Sequence, residues 1–403
     1  MKPENLIKNL ELTARLLSGG DDKNCRSAEF YSWEEFFPVL KKTVPFGKVA
    51  VLYLKSSFEK FGKENTENIR RLGIKPYNYV MPQGVTLSFE NIFDVITLPE
   101  DVRAIIYFDG ELGALVNYVA TVLNVLCMRV VKDPFVKGVL APFVCFDSGV
   151  SSDIFPIACD RYVFVDFAAV KDAKDNKEKA IAYILSRYLS VIDGKILAAA
   201  YGETWEDALQ LILSAVNYCR NNADNMDLGG LTYWTLATEI ADAFSFGALL
   251  KNSSAFSLSY ILKRTEDLDF YLSSCRKLFG VYLLYLKEES ENLLSVPDYN
   301  ARAKTLSEKT GKDFISVAEG IIKQRKALKE NAEKINAAVS RIKVNLADIE
   351  SVFAAFSAAT EKLSVKETSL TGDTAFALKS CGDIRDTFNL MTVIRESGLT
   401  ELI

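Results

Sequence analysis

Two spacings of apolar residues divide the chain. Up to about residue 177, short β-branched or aromatic runs alternate with segments whose apolar positions recur every three or four residues. The runs are KVAVLYL (48–54), YNYVMP (77–82), RAIIYF (103–108), CMRVV (127–131) and RYVFVDF (161–167). Between them the spacing predicts helices over FEKFGKENTENIRRLG (58–73), closed by a glycine suited to a C-cap, over SFENIFDVIT (88–97) and over LGALVNYVATVLNVL (112–126). Buried strands joined by helix-sized connections imply a mainly parallel sheet covered on both faces. From about 178 the three-to-four spacing takes over, as in AIAYILSRYLSVI, ALQLILSAVNYC and TYWTLATEIADAFSFGALL. The stretch 314–363 predicts one or two extended amphipathic helices that pack within the domain or across a dimer, because its register drifts too much for a long coiled coil. We therefore expect a Rossmann-like α/β domain over 1–177 and an all-helical domain over 178–403.

Composition fits such a globular protein: of 403 residues, 49% are apolar and 25% charged, which supplies at least one sizeable core. The formal net charge is -5 and no long Lys/Arg run is present, so neither nucleic acid nor an anionic membrane is an expected partner. The cysteines, Cys25, Cys127, Cys145, Cys159, Cys219, Cys275 and Cys381, are odd in number and widely spaced with no CxxC pair, which suits reduced thiols. The start, MKPENLIKNLELTARLL, carries acidic residues through its apolar positions and reads as an amphipathic helix rather than a signal peptide. No apolar run reaches the roughly 20 residues of a spanning helix, and a cytoplasmic location is expected. The chain has no histidine at all, so no imidazole serves as metal ligand or proton carrier.

A strand, a turn and a helix form the usual cradle for dinucleotide phosphates, because backbone N–H groups and the helix N-terminus converge on the anion. Here the candidate is IIYFDGELGALVNYVATVLNV (105–125), with only Gly110 and Gly113 where consecutive glycines would let a pyrophosphate approach. Asp109 and Glu111 flank Gly110 and bring negative charge to the anion's place.

The order of these segments resembles the iron-containing alcohol dehydrogenase and dehydroquinate synthase superfamily, most nearly its glycerol-1-phosphate dehydrogenase branch. In that branch a strand runs into a GVGGG turn and a helix, and a later strand leads to a TTASHDGIASP-like loop. Here RAIIYFDG precedes LVNYVATVLNV, and VVKDPFVKGVLAPF (130–143) follows at the same spacing, keeping Gly138 and Pro142. YVFVDFAAVK (162–171) is similar to the family's AVIADLDVLK, and AYILSRYLSVIDGK (182–195) to GDLLSKYTALLDW, keeping Ser186, Tyr188 and Asp193 with Arg187 for the usual lysine. The C-terminal IRDTFNLMTVIRESGL (384–399) resembles IRDRYTVLDLLHELGLL, while 284–375 holds no motif that can be placed. The resemblance implies a dehydroquinate synthase-like fold of α/β plus all-α domains around a cleft.

The departures bear on the chemistry that the resemblance implies. Active relatives hold zinc or iron with an aspartate and two histidines, the metal acting as a Lewis acid while NAD(P) takes the hydride. Carried over, the aspartate falls at Tyr183, one histidine at Phe256 with that segment's second histidine at Tyr260, and the remaining ligand near Ser274, beside Cys275. Phenylalanine has no donor atom and neutral hydroxyls bind divalent metals weakly. The GVGGG turn falls at about 106–110, the paired threonines at Lys132 and Asp133, and a substrate-side aspartate at Lys137. Lys137 reads as a solvated loop lysine or a binder of an anionic ligand; Tyr183 reads as cleft filling or a proton donor. Cys275 reads as a structural thiol, since free cysteine is usually a small core residue. The expected function is a metal-free, cofactor-free relative with a binding or scaffolding role, taking a small anionic ligand in the cleft and forming a homodimer or joining an active homologue. The alternative is a metal-independent NAD- or NADP-linked oxidoreductase, or another enzyme, acting on a small phosphorylated polyol in that cleft.

Overall fold

The computed structural model describes residues 3–17, 28–85, 87–99, 101–147, 152–157, 161–202, 205–245, 247–265, 267–288, 299–365, 372–383, 388–397 and 399. Cys25, Cys159 and the start of the C-terminal segment, 384–387, lie outside the described residues.

Eight strands form in chain order: β1 (Ala28–Ser32), β2 (Lys48–Leu54), β3 (Lys75–Met81), β4 (Val102–Tyr107), β5 (Leu126–Val131), β6 (Phe143–Asp147), β7 (Ser152–Pro156) and β8 (Arg161–Val165). Six of them make one sheet in the order β1-β8-β5-β4-β2-β3, with β6 and β7 a separate pair. Every pairing in the large sheet is parallel, with Val51 opposite both Asn78 of β3 and Ile106 of β4. The continuous apolar runs exist because both faces are covered. Along β2, Ala50, Leu52 and Leu54 enter one core with Ile105 and Val116, while Val49, Val51 and Tyr53 enter the other with Ile106 and Phe36.

Strand β1 escapes the pattern. AEFYS contains one fully buried apolar side chain, Phe30, because an edge strand buries few positions, so no apolar run marks it. Strand β8 stops short of the predicted run because Asp166 turns to cap the next helix, accepting the Ala169 N–H at 3.0 Å. Gly73 ends its helix at φ 76°, the left-handed conformation that makes glycine the usual residue there.

The helical part includes Lys177–Tyr201, Glu206–Asn222, Ser254–Ile261, Leu268–Lys287, Tyr299–Thr310, Phe314–Val344, Leu346–Lys362, Gly372–Ser380 and Leu390–Glu396. The predicted stretch 314–363 is two helices, the first kinked at Asn331, whose side chain donates to the Ala200 carbonyl at 3.0 Å. Backbone contacts gather the chain into two compact units, one of Met1–Phe146, Asp153–Ala180 and Asn225–Phe244, the other of Asp147–Ser152, Ile181–Asp224 and Ser245–Ile403. Helix Leu228–Phe244 thus belongs with the sheet. Thr235 donates to the Pro134 carbonyl at 2.8 Å, and Glu239 accepts the Leu140 N–H at 3.4 Å. Among the described residues no helix is long and apolar enough to cross a membrane.

Candidate functional site

In an open parallel sheet, ligands bind outside the carboxyl ends of the strands where the strand order reverses. Here the order reverses between β2 and β4. Asp109 follows β4 directly, and its carboxylate accepts the Leu54 N–H at 2.9 Å and the Ser57 hydroxyl, both at the carboxyl end of β2. The side chain therefore takes up donors of the kind that would hold a phosphate. Glu111, on the short turn of 3-10 helix Gly110–Leu112, accepts the Gly84 N–H at 3.3 Å, which ties the loop after β3 to the loop after β4. A Cβ on Gly110 would meet the Arg129 guanidinium at 3.4 Å, while Gly138, with φ 72°, holds a turn that does favour glycine.

Lys132 leaves β5 into a set of rings: its Nζ lies 3.5 Å from the Phe61 centroid, 5.0 Å from Phe108 and 5.8 Å from Trp33. Burial lowers its pKa, against the attraction of Asp166, Asp109 and Glu64. Half-buried Asp133 accepts the Phe135 N–H at 2.9 Å, and desolvation raises its carboxyl while Arg129 draws it down. Lys137 is also half-buried, in the turn beside Gly138. Asp109, Glu111, Lys132 and Asp133 thus cluster around this end of the sheet as a structure with internal partners.

The helical unit contains the other sequence-predicted residues, and all are buried. Tyr183 on helix Lys177–Tyr201 lies 6.2 Å, ring to ring, from Tyr271 on helix Leu268–Lys287. Cys275 is one turn beyond Tyr271, near the Tyr271 and Ser186 hydroxyls, and burial pushes its thiol up to about 12. The Ser274 hydroxyl donates to the Phe270 carbonyl at 2.7 Å within its own helix. Phe256 stacks on Tyr260 at 6.1 Å, with both on helix Ser254–Ile261. The fold brings Tyr183 and Cys275 together through Tyr271. As a donor set Tyr183, Phe256 and Ser274 do not fit a divalent metal, since one has no donor, one spends its hydroxyl on its own helix and one is a phenol packed against another ring. Among the described residues no group of three Cys, Asp or Glu side chains is placed to hold an ion.

Two residues of consequence here carried no role in the sequence. Arg187, the largest fully buried side chain, adds positive charge beside Cys275 and Tyr271. Asp193, also fully buried, accepts the Ser254 N–H at 2.8 Å, the Tyr282 hydroxyl at 2.6 Å and the Leu390 N–H at 3.0 Å. The retained aspartate of the DGK segment was the available signal for Asp193, and nothing in the helical pattern sets Arg187 apart from a surface arginine.

No protein-family model matches the chain, and no curated protein matches its sequence. Solved structures do. A mutant of an archaeal halo-thermophilic Red Sea brine pool alcohol dehydrogenase aligns with TM-score 0.57 at 10% identity, covering 94% of this chain and 98% of that one. The aldehyde reductase YqhD from E. coli, free of substrate and cofactor, aligns with TM-score 0.53 at 11% identity over 92% and 97% of the two chains. The iron-containing alcohol dehydrogenase from Thermotoga maritima gives TM-score 0.50 at 14% identity over 82% and 97%. The fold is that of the iron-containing alcohol dehydrogenases. At these identities the likeness establishes architecture, a parallel sheet unit followed by helices, and the chemistry rests on this chain's own residues.

Proposed function

We propose that this protein is a metal-free relative of the glycerol-1-phosphate dehydrogenases that has exchanged catalysis for a binding or scaffolding role in the cytoplasm, as a second copy's partner or beside an active homologue. The observation that carries the reading is the Asp109 carboxylate on the Leu54 N–H and Ser57 hydroxyl. A pyrophosphate entering there would have to displace a bonded carboxylate and accept its repulsion, besides that of Glu111. The helical unit supports the same reading, because Tyr183, Phe256 and Ser274 are buried side chains with packing partners or intrahelical bonds.

The test is calorimetric titration of the purified protein with NAD(H) and NADP(H), together with elemental analysis after dialysis. The reading expects dissociation constants weaker than about 1 mM and no stoichiometric zinc, iron or nickel. Micromolar affinity for either nucleotide, or one chelatable metal per chain, would overturn it in favour of a working oxidoreductase.

A further inference from the structure

In the helical unit, two guanidinium groups share two carboxylates and a third lies nearby. Arg302, on helix Tyr299–Thr310, pairs through Nη1 with Glu396 Oε1 at 2.9 Å, and its Nε stands 3.4 Å from Asp383. Arg395 approaches the same two acids, 2.6 Å to Asp383 Oδ2 and 2.9 Å to Glu396 Oε1, and donates to the Lys379 carbonyl at 3.1 Å. Arg325, on helix Phe314–Val344, faces this group, and its guanidinium lies 4.8 Å from the Tyr299 ring centroid. Among the described residues the cluster therefore has one more positive than negative charge, where Asp383 is fully buried and the side chains of Glu396 and Arg395 are 4% and 8% exposed.

The surplus has a location. Nε and Nη2 of both Arg325 and Arg302 are buried and have no hydrogen-bond partner, and the same holds of both Asp383 carboxylate oxygens, of which Oδ2 meets guanidinium groups only at ion-pair distance, and of Glu396 Oε2. Such donors are costly when left unmet, and a guanidinium more so than a neutral group. Burial, first, and the repulsion of Arg302 lower the Arg325 pKa, against the attraction of Glu396 and Asp383. Nε and Nη2 form the side-on edge of a guanidinium that receives two oxygens of one oxyanion, and Arg302 supplies a third donor.

We propose that Arg325 and Arg302, with Arg395 anchored behind them by Asp383 and Glu396, form a binding site for a small oxyanion, a phosphate or a carboxylate. Asp383 and Glu396 fix Arg395 and one side of Arg302, while Arg325, with no carboxylate within ion-pair distance among the described residues, remains for the ligand. The site lies wholly in the helical unit.

Full-length protein is titrated with sodium phosphate, sodium acetate and sodium chloride at constant ionic strength, by calorimetry and by thermal unfolding. The expected result is saturable one-to-one binding of phosphate or acetate with a rise in the unfolding midpoint, and no such effect of chloride. Arg325→Met should weaken that binding at least tenfold, and Arg325→Lys should weaken it less. The Met variant's midpoint in chloride, unchanged or higher because a repelled charge is gone, shows that it still folds. Phosphate binding and acetate binding each support the site and decide its ligand class. Absence of saturable binding by the wild type, or binding undiminished in a folded Arg325→Met protein, would overturn the proposal and leave the cluster a structural ion network.

Discussion

Asp193 and Tyr282 meet through a 2.6 Å hydrogen bond inside a fully buried knot of helices. The Tyr282 hydroxyl also lies 2.6 Å from the Ser254 hydroxyl, and Asn252 and Asn389 extend the knot to the Phe388 and Cys381 carbonyls. Through the Leu390 N–H, Asp193 holds the last helix against the long helix that carries it.

That arrangement fixes a pH dependence. Burial lifts the Asp193 carboxyl to about 6, against the bonds from Ser254, Tyr282 and Leu390, whereas the unfolded carboxyl ionises near about 3.9. Between those values the folded protein retains a proton that the unfolded chain has released. Stability therefore falls as pH rises from about 4 to about 6 and is level above, a total of about 3 kcal/mol from this group. Urea unfolding of wild type and Asp193→Asn across that range should show the slope in their difference, and parallel curves would refute it.

Asp109→Ala should lower stability by about 1–3 kcal/mol, because it leaves the Leu54 N–H and Ser57 hydroxyl without their acceptor. Ser57→Ala should cost less, since it removes donor and hydroxyl together. Urea midpoints measure both, and equal effects would mean that the Leu54 bond contributes little.

Placing metal ligands at the inherited positions, as Tyr183→Asp with Phe256→His and Ser274→His, should not create NAD(P)-dependent oxidation of glycerol-1-phosphate in the presence of zinc. A metal needs ordered outer partners and an open position, and these side chains are at most 9% exposed. The triple variant should lose several kcal/mol of stability, since a carboxylate and two imidazoles would replace packed groups. Metal-dependent turnover would show that the rest of the machinery is intact.

Cys127, Cys145, Cys219, Cys275 and Cys381 are buried, and burial raises the thiol of Cys275 to about 12. The thiolate is the reactive form. A water-soluble disulfide reagent should therefore leave these five unmodified in native protein and label them after denaturation, with peptide mapping to separate them from the remaining two cysteines. Rapid native labelling of Cys275 would indicate that its helix opens to solvent.

Strands β2, β4, β5 and β8 were legible because interior strands covered on both faces leave a nearly uninterrupted apolar run, edge strand β3 was legible from its aromatic and β-branched residues, and the helices were legible from their spacing. Strand β1 left no run because its edge position fully buries only Phe30. At the site, the negative charge of Asp109 was visible, but not its partners, since Leu54 and Ser57 lie more than fifty residues away in sequence. In the sequence Arg187 is marked only as standing for the usual lysine of the family's segment, and no motif singles out Arg325. Only tertiary packing buries one and leaves buried guanidinium nitrogens of the other without acceptors.

Helix Leu228–Phe244 has a consequence for biosynthesis. The sheet unit is completed by a segment translated after more than forty residues of the helical unit, and Thr13 near the chain's start lies 3.2 Å from Tyr233 through their hydroxyls. During vectorial synthesis the early strands emerge before the helix that completes their unit has been translated, so the first unit cannot close in order of emergence. The surface on which that helix packs therefore stays uncovered until residue 244 has been translated.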